Sequence, residues 1–416
     1  ISQKWKAEQE ANKAVVSGTK SFSKSITIEL PKYETHRLEE NKLPKKATTN
    51  KDELMKYFKD MSVMRRVEIA ADNLYKNKMI RGFCHLGDGQ EAITVGIEAG
   101  LTYEDHIITA YRDHLNAIGR GFTPYQIIAE MLQKETGGSQ GKGGSMHYYS
   151  KKNRFYGGNG IVGAQVPVGA GIAFGIKYDG KKEVCVDMYG DGAANQGQVY
   201  EAANMAGLWK LPCIFTCENN LYGMGTSIDR AAHNPKFYTR GDMIPGIQCA
   251  GNHVLAVREL YKWGKDYCVE GNGPLFVELK TYRYHGHSMS DPGITYRSRD
   301  EIAEYRKNQD PILVIKNLLV ENSFATEDEL KEIDKGIKKQ IDEDVEKIKQ
   351  DKQPDPKELF THIYEGDEYY IRNVDFWTQY LLEESIGQNM NRTPTEQLEK
   401  DKKDLEDHLK DLPQRL

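Results

Sequence analysis

The spacing of apolar residues changes several times along the chain. Over residues 51–77 they recur every three or four positions, which predicts an amphipathic helix. A second helix is expected from Pro124, because Thr123 can cap it and Gln126 completes a capping box. Residues before 51 are polar and unpatterned, apart from a short alternating piece at 25–30. We expect those residues to form an extended arm.

The middle of the chain alternates apolar runs with helical patterns. Residues 183–189 and 212–217 are predicted strands, with a helix at 196–209 between them. A further helix at about 257–268 leads to a third strand at 275–279. Strands that alternate with helices predict an α/β fold, a doubly wound parallel sheet with helices on both faces.

Residues 134–175 are dominated by glycine. This composition predicts neither packed helix nor packed sheet, and it indicates that the backbone closely approaches a ligand. Within it, residues 158–163 fit the pattern of a dinucleotide-binding turn. We predict no nicotinamide site there, because residues 151–156 do not read as a buried strand and no suitable acid follows.

Two more helices are predicted near the carboxyl end. Thr326 and Glu329 form a capping box ahead of an apolar stripe that runs to Ile348. The other helix, over residues 393–412, has one apolar face, which we expect to pack on its own chain or a sister subunit; a different partner is the alternative. The predicted organisation is an amino-terminal arm (1–50), an α/β domain (51–366) and a carboxyl-terminal extension (367–416).

Composition restricts the class of protein. The chain has 416 residues, 38% hydrophobic and 29% charged, which is typical of a soluble globular protein. A net charge of −5 argues against nucleic-acid binding. The six cysteines have no disulfide spacing and suggest a reducing compartment, and we interpret Cys213 and Cys217 as buried thiols. No membrane-spanning helix is predicted, and the start at Ile1 suggests a processed or truncated form whose targeting peptide cannot be inferred.

The two central predicted strands both end in polar residues. The first runs into Gly190-Asp191-Gly192 and the second into Glu218-Asn219-Asn220. Parallel neighbours bring these ends to one edge of the sheet, where ligands of such folds bind. Asp191 and Asn220 offer the hard oxygens that suit Mg²⁺, which usually also takes phosphate oxygens. We therefore predict a Mg²⁺–diphosphate site; ordinary turns after the two strands are the alternative.

The same segment carries a family resemblance. The GDG and NN pair resembles the thiamin diphosphate signature of transketolase-like enzymes, and residues 190–227 closely resemble the alpha subunits of pyruvate dehydrogenases. The resemblance runs in order over about residues 57–364. It is also carried by FCHLGDGQEA (83–92), TAYRDH (109–114), GKGGSMH (141–147), YGGNGIVGAQVP (156–167) and TYRYHGHSMSDPG (281–293).

The resemblance implies a set of site residues in a thiamin-diphosphate-binding fold. Asp191, Asn220 and the backbone carbonyl of Tyr222 would hold Mg²⁺, and His85 and His287 would face the diphosphate and the substrate carbon as catalytic groups. The remaining implied cofactor contacts are Tyr111 and Arg112 at the diphosphate, Gly192 and Ala193 by backbone near the phosphates, and Gly160 and Val162 by backbone at the aminopyrimidine ring.

The resemblance also implies activity and partners. The activity would be oxidative decarboxylation of pyruvate in the mitochondrial matrix, with acetyl transfer to the lipoyl domain of a second component. No motif here matches the acid that protonates the aminopyrimidine, so a beta subunit would supply it in an assembly of two alpha and two beta chains. The alternatives are a branched-chain 2-oxo acid dehydrogenase alpha subunit and a non-catalytic paralogue. Residues 193–206 and the loop at 284–293 favour pyruvate.

A regulatory expectation follows from the loop at 284–293. In the family a serine there is phosphorylated, and Ser288 matches the main position. Ser227 matches a further position, and Thr295 stands where a second loop serine is usual. A phosphate adds close to two negative charges beside the cofactor diphosphate, which would repel it and disorder the loop. A regulatory kinase and phosphatase are therefore possible partners.

Overall fold

The structure, a computed structural model, describes residues 24–362 and residue 403. Its strands are β1 (Ser25–Glu29), β2 (Glu34–His36), β3 (Lys46–Asn50), β4 (His106–Ala110), β5 (Phe155–Asn159), β6 (Cys185–Gly190), β7 (Cys213–Asn219), β8 (Gly246–Ala250) and β9 (Leu275–Lys280). Its α-helices are α1 (Lys51–Lys76), α2 (Glu91–Gly100), α3 (His114–Gly119), α4 (Pro124–Met131), α5 (Gln165–Tyr178), α6 (Gly197–Leu208), α7 (Ile228–Ala231), α8 (Val254–Tyr267), α9 (Arg299–Gln309), α10 (Pro311–Glu321) and α11 (Glu327–Ile348).

The main sheet has seven strands in the order β2-β8-β9-β7-β6-β4-β5. All neighbours pair in parallel except β2, which lies antiparallel to β8 at one edge. Successive residues of the central strands enter two separate cores: Val186 and Ile214 pack in one, and Cys185 and Phe215 in the other. Helices therefore cover both faces, which confirms the predicted doubly wound α/β fold.

Local signals determine where several helices begin. Asn50 caps α1 by accepting a hydrogen bond from the Glu53 backbone N–H at 3.0 Å. The capping boxes predicted at Thr123 and Thr326 are both present, at the starts of α4 and α11. These caps satisfy backbone donors that have no partner inside the helix.

The described part of the predicted arm joins the domain. β1 and β3 form a two-stranded antiparallel sheet, and β2 extends the main sheet. The buried hydroxyl of Tyr33 donates to the Ala256 carbonyl at 2.9 Å. Residues 24–50 thus form strands β1–β3 and a 3-10 helix at Glu40–Lys42, and they contribute to the sheet and to the core.

The prediction that the glycine-rich segment forms neither packed helix nor packed sheet was wrong. β5 lies within residues 134–175, and α5 begins there at Gln165 and runs on to Tyr178. Glycine permits this packing, because a Cβ at Gly169 of α5 would lie 2.4 Å from Oδ2 of Asp187 on β6. A strand therefore does precede the turn at 158–163, so one ground for excluding a nicotinamide site fails. The other ground, the lack of a suitable acid, is unaffected.

The chain divides after Lys352 into two units, 1–352 and 353–416. Of the second unit the structure describes a 3-10 helix at Pro356–Phe360. The helix predicted at 393–412 lies outside the described residues, as do residues 1–23. The proposed division into arm, domain and extension stays a prediction. Among the described residues, no helix is long and apolar enough to cross a membrane.

Candidate active site

The predicted metal-binding residues meet at the carboxyl edge of the sheet. Asp191 follows β6 directly, and Asn220 follows β7, whose Glu218 pairs in register with Gly190. Both side chains are buried, with 5% of Asp191 and 6% of Asn220 exposed. Leu221 then takes a left-handed backbone conformation (φ 74°), which non-glycine residues rarely adopt. This conformation changes the direction of the chain immediately before Tyr222.

The polar atoms at this edge fit a cation. Oδ1 of Asn220 is buried and has no hydrogen-bond partner among the described residues. Such an oxygen is costly to bury unless a ligand satisfies it. Burial also raises the pKa of Asp191 to about 6, and a bound cation would favour its charged form. A Cβ at Gly190 or Gly192 would meet no described atom within 4 Å, so the backbone is open to a ligand.

Two histidines and a tyrosine form a cluster beside this edge. The rings of His85 and Tyr111 have centroids 4.3 Å apart, and those of His85 and His287 lie 5.5 Å apart. The Tyr111 hydroxyl is 3.1 Å from Nε2 of His287. Burial, then the charge of Arg112, lowers the pKa of His85 to about 2 and that of His287 to about 3. Both imidazoles are therefore neutral near neutral pH.

Two arginines join the loops around the site. Arg112 donates to the Leu86 carbonyl at 2.6 Å and to the His287 carbonyl at 2.8 Å. Arg283 is fully buried and donates to the His285 carbonyl at 2.8 Å and to the Tyr222 carbonyl at 3.1 Å. The predicted metal-binding carbonyl thus accepts one hydrogen bond from Arg283, and a carbonyl oxygen has a second lone pair for another ligand.

The remaining predicted cofactor contacts lie on adjoining backbone. Ala193 is buried and begins a 3-10 turn immediately after Gly192. The Val162 carbonyl accepts a hydrogen bond at 3.3 Å from Gln198, near the start of α6. A Cβ at Gly160 would meet only the His147 ring, 3.9 Å away, among the described atoms. The predicted aminopyrimidine-contacting turn therefore borders the segment that carries Asp191.

Comparison with known proteins places this geometry in a family. The sequence profile of the dehydrogenase E1 component matches residues 59–357. The chain belongs to this family. The somatic-form mitochondrial pyruvate dehydrogenase E1 component subunit alpha of Homo sapiens is 50% identical over 375 residues, covering 90% of this chain and 95% of that protein. The mitochondrial pyruvate dehydrogenase E1 component subunit alpha of Sminthopsis macroura is 52% identical over 362 residues, which cover 87% of this chain and 99% of that protein. The E1 family depends on thiamin diphosphate, which agrees with the predicted cofactor.

The three predicted phosphorylation residues of this E1 chain differ in exposure. Ser288 is only 3% exposed, and its hydroxyl lies 2.8 Å from that of Ser290. Asp291 holds the loop by accepting from the His287 backbone N–H at 2.7 Å. Ser227 is half-buried and forms a backbone bridge with Tyr222. Thr295 is exposed. A kinase would therefore reach Ser288 only after the loop opens.

Two polar residues of the site, Gln90 and Asp88, were not predicted from the sequence. Gln90 bonds both Glu218, at 3.3 Å, and Asn220, at 3.2 Å. His285 lies with Nδ1 2.9 Å from both Asp88 oxygens, and these contacts raise the His285 pKa although burial opposes the shift. Gln90 and Asp88 stand in the FCHLGDGQEA string that carried the resemblance. Their links span 130 and 197 residues, so no local spacing could reveal them.

Proposed function

We propose that this chain is the catalytic alpha subunit of a pyruvate dehydrogenase first component. Its activity is thiamin-diphosphate-dependent oxidative decarboxylation of pyruvate with reductive acetylation of lipoyl groups. The observation that carries the proposal is the unpartnered, buried Asn220 Oδ1 beside Asp191 at the carboxyl edge of β6 and β7. It occurs in an E1 family chain whose relatives are named as mitochondrial pyruvate dehydrogenase alpha subunits. The location is correspondingly mitochondrial, in the matrix.

The residues of this chain have distinct roles in the proposal. Asp191, Asn220 and the Tyr222 carbonyl would hold Mg²⁺, an ion that usually also takes phosphate oxygens and water. Within the described residues Arg112 donates two hydrogen bonds, and a guanidinium has five N–H donors, so further donors can suit a diphosphate. When bound, thiamin diphosphate supplies the nucleophilic carbon and the electron sink that decarboxylation requires.

The histidines carry the proton chemistry in this proposal. A neutral imidazole can accept a proton on one nitrogen or donate from the other. Nδ1 of His85 is buried and has no hydrogen-bond partner in the described part of the chain, so it is available to substrate. His287 is oriented through its bond to Tyr111. Together they can orient the keto acid and donate a hydrogen bond or a proton to its keto oxygen.

The proposal includes a partner for the missing acid. A beta subunit contributes the carboxyl group that protonates the aminopyrimidine, in an assembly of two alpha and two beta chains. The alpha chain alone is then inactive. The lipoyl domain of the acetyltransferase component is the acetyl acceptor. Co-expression with the beta subunit of the same organism should yield one copurifying complex that carries the activity, and activity of the isolated alpha chain would refute this part.

Phosphorylation of Ser288 is proposed as the control of this site. Ser288 directly follows His287, whose carbonyl accepts a hydrogen bond from Arg112 at 2.8 Å. A buried phosphate there cannot remain in the present loop conformation, because Ser288 is 3% exposed. Ser227 and Thr295 are further acceptors in the proposal.

The metal assignment can be tested in the alpha–beta complex. Asp191→Ala should abolish Mg²⁺-dependent binding of thiamin diphosphate, measured by calorimetry, without preventing assembly. Asp179→Ala is the control, since Asp179 lies at the end of α5 with a half-exposed side chain. Unchanged cofactor affinity in Asp191→Ala would refute the assignment, and absence of binding in the wild type would favour a non-catalytic paralogue.

The choice of substrate needs a separate assay. The reconstituted complex should turn over pyruvate faster than a branched-chain 2-oxo acid of similar charge. Faster turnover of the branched acid would overturn the pyruvate assignment and leave the cofactor site intact.

A further inference from the structure

Three buried side chains form a hydrogen-bonded row behind the proposed metal site. Gln90, which is 3% exposed, immediately precedes α2. Its Nε2 donates to Oε1 of Glu218 at 3.3 Å, and its Oε1 accepts from Nδ2 of Asn220 at 3.2 Å. Glu218 and Asn220 are two residues apart at the end of β7, so one glutamine side chain reaches both.

The hydrogen bonds in this row determine which end of each amide group faces which neighbour. The Glu218 carboxyl accepts from the NH₂ end of the Gln90 amide. The oxygen end of Gln90 must then face Asn220, where it can only accept. The Asn220 amide therefore turns its NH₂ group toward Gln90, and its Oδ1 points away. That Oδ1 is the buried oxygen with no partner among the described residues.

We propose that Gln90, oriented by Glu218, is a positioning residue that keeps the Asn220 oxygen directed at Mg²⁺. The inference rests on the proposed function, which assigns Asn220 to the metal. A flipped Asn220 amide would present its NH₂ group to the cation, and such a group cannot coordinate it. The row prevents that flip without touching metal or cofactor.

The backbone around Gln90 is itself fixed. Its N–H donates to the Gly87 carbonyl at 3.0 Å. The preceding Gly89 has a φ of 99°, and a Cβ there would lie 2.3 Å from the Tyr282 carbonyl. The glutamine is therefore held by packing and by hydrogen bonding, as a residue that orients a ligand group must be.

The test uses the alpha–beta complex with the variants Glu218→Gln and Gln90→Met. Glu218→Gln keeps size and polarity but replaces the carboxyl with an amide that can present either its oxygen or its NH₂ group to Gln90, so the row loses its direction. Mg²⁺ is titrated at fixed thiamin diphosphate, and cofactor binding is followed by intrinsic fluorescence. We expect the half-saturating Mg²⁺ concentration to rise about tenfold or more in each variant, because loss of such outer partners weakens metal binding by about 10–100-fold. Saturating Mg²⁺ should restore cofactor occupancy.

The control variant is Gln248→Met, a buried glutamine on β8 whose replacement should leave the Mg²⁺ titration unchanged. Unchanged midpoints in both Glu218→Gln and Gln90→Met would overturn the proposal. If Gln90→Met fails to assemble, the isosteric Glu218→Gln carries the test. A wild-type complex that binds cofactor without Mg²⁺ would refute the proposed metal site itself, which is a distinguishable result.

The double variant tests whether Glu218 acts through Gln90 or acts on the metal or cofactor directly. If Glu218 acts only through Gln90, adding Glu218→Gln to Gln90→Met should change the Mg²⁺ midpoint no further. An additional loss in the double variant would overturn the proposal, because Glu218 would then act on the metal or cofactor independently of Gln90.

Discussion

Arg283 should be as important to the site as the predicted metal ligands, because it connects two loops of the site. Its guanidinium donates to the carbonyls of Tyr222 and Gly223, both at 3.1 Å, and to the His285 carbonyl at 2.8 Å. It also lies 3.2 Å from the Tyr296 hydroxyl. Arg283→Met keeps much of the apolar stem and removes all four bonds. The loop after Asn220 then loses the Arg283 hydrogen bonds that join it to the loop at 284–293.

The magnitude can be worked from these contacts. Each hydrogen bond to a charged group contributes about 1.5–3 kcal/mol when its partner stays buried. The Tyr222 and Gly223 residues are only half-buried. Water can therefore replace part of the loss, and we expect about 2–4 kcal/mol of destabilisation overall. Because the freed loops carry the Tyr222 carbonyl and His287, thiamin diphosphate affinity should fall about tenfold or more.

The assay is thermal unfolding of the alpha–beta complex together with calorimetric titration of thiamin diphosphate in excess Mg²⁺. Arg258→Met is the matched control: Arg258 is also buried, and it donates to Glu53 at 2.5 Å and to the Thr48 carbonyl at 2.9 Å, between α8, α1 and β3. It should lower the unfolding temperature and leave cofactor affinity unchanged. Wild-type cofactor affinity in Arg283→Met, or an equal loss in both variants, would refute the reasoning.

Three other predictions concern the same region. Ser288→Glu should reduce turnover while the complex still copurifies, because a charge cannot stay in a site that is 3% exposed; unchanged turnover would contradict loop control. Gly89→Ala should lower the unfolding temperature, because its φ is 99° and the new Cβ would meet the Tyr282 carbonyl at 2.3 Å. Burial and the charge of Arg112 lower the pKa of His287 from 6.5 to about 3 in the folded chain. As pH falls, His287 therefore becomes protonated in the unfolded chain at a higher pH than in the folded chain, which favours unfolding. The cofactor-free complex should therefore lose stability below about pH 6.5, and His287→Gln should lessen that loss in thermal melts.

Local signals in the sequence were sufficient for much of the fold. The capping boxes at Thr123 and Thr326 predicted the starts of α4 and α11, because a cap involves residues only three positions apart. The alternation of strands and helices likewise predicted the parallel sheet. The same topology predicted that Asp191 and Asn220 meet, since adjacent parallel strands end at one edge.

Glycine content misled the prediction for residues 134–175. Glycine is unfavourable within helices and strands on average, but β5 and α5 form there. At Gly169 the missing side chain lets α5 pack against Asp187, a contact that depends on the sheet beneath the helix. Only the assembled layers decide whether such a glycine weakens an element or permits its packing.

The sequence by itself determined which residues could bind a metal diphosphate and in which kind of fold. Tertiary structure decided how those residues are oriented. Gln90 reaches Asn220 across 130 residues, and Arg283 reaches Tyr222 across 61. Ligand types follow from residue identity and strand order, which are encoded locally. The direction in which an amide or a carbonyl points depends on hydrogen bonds from distant segments, and these exist only once the chain has folded.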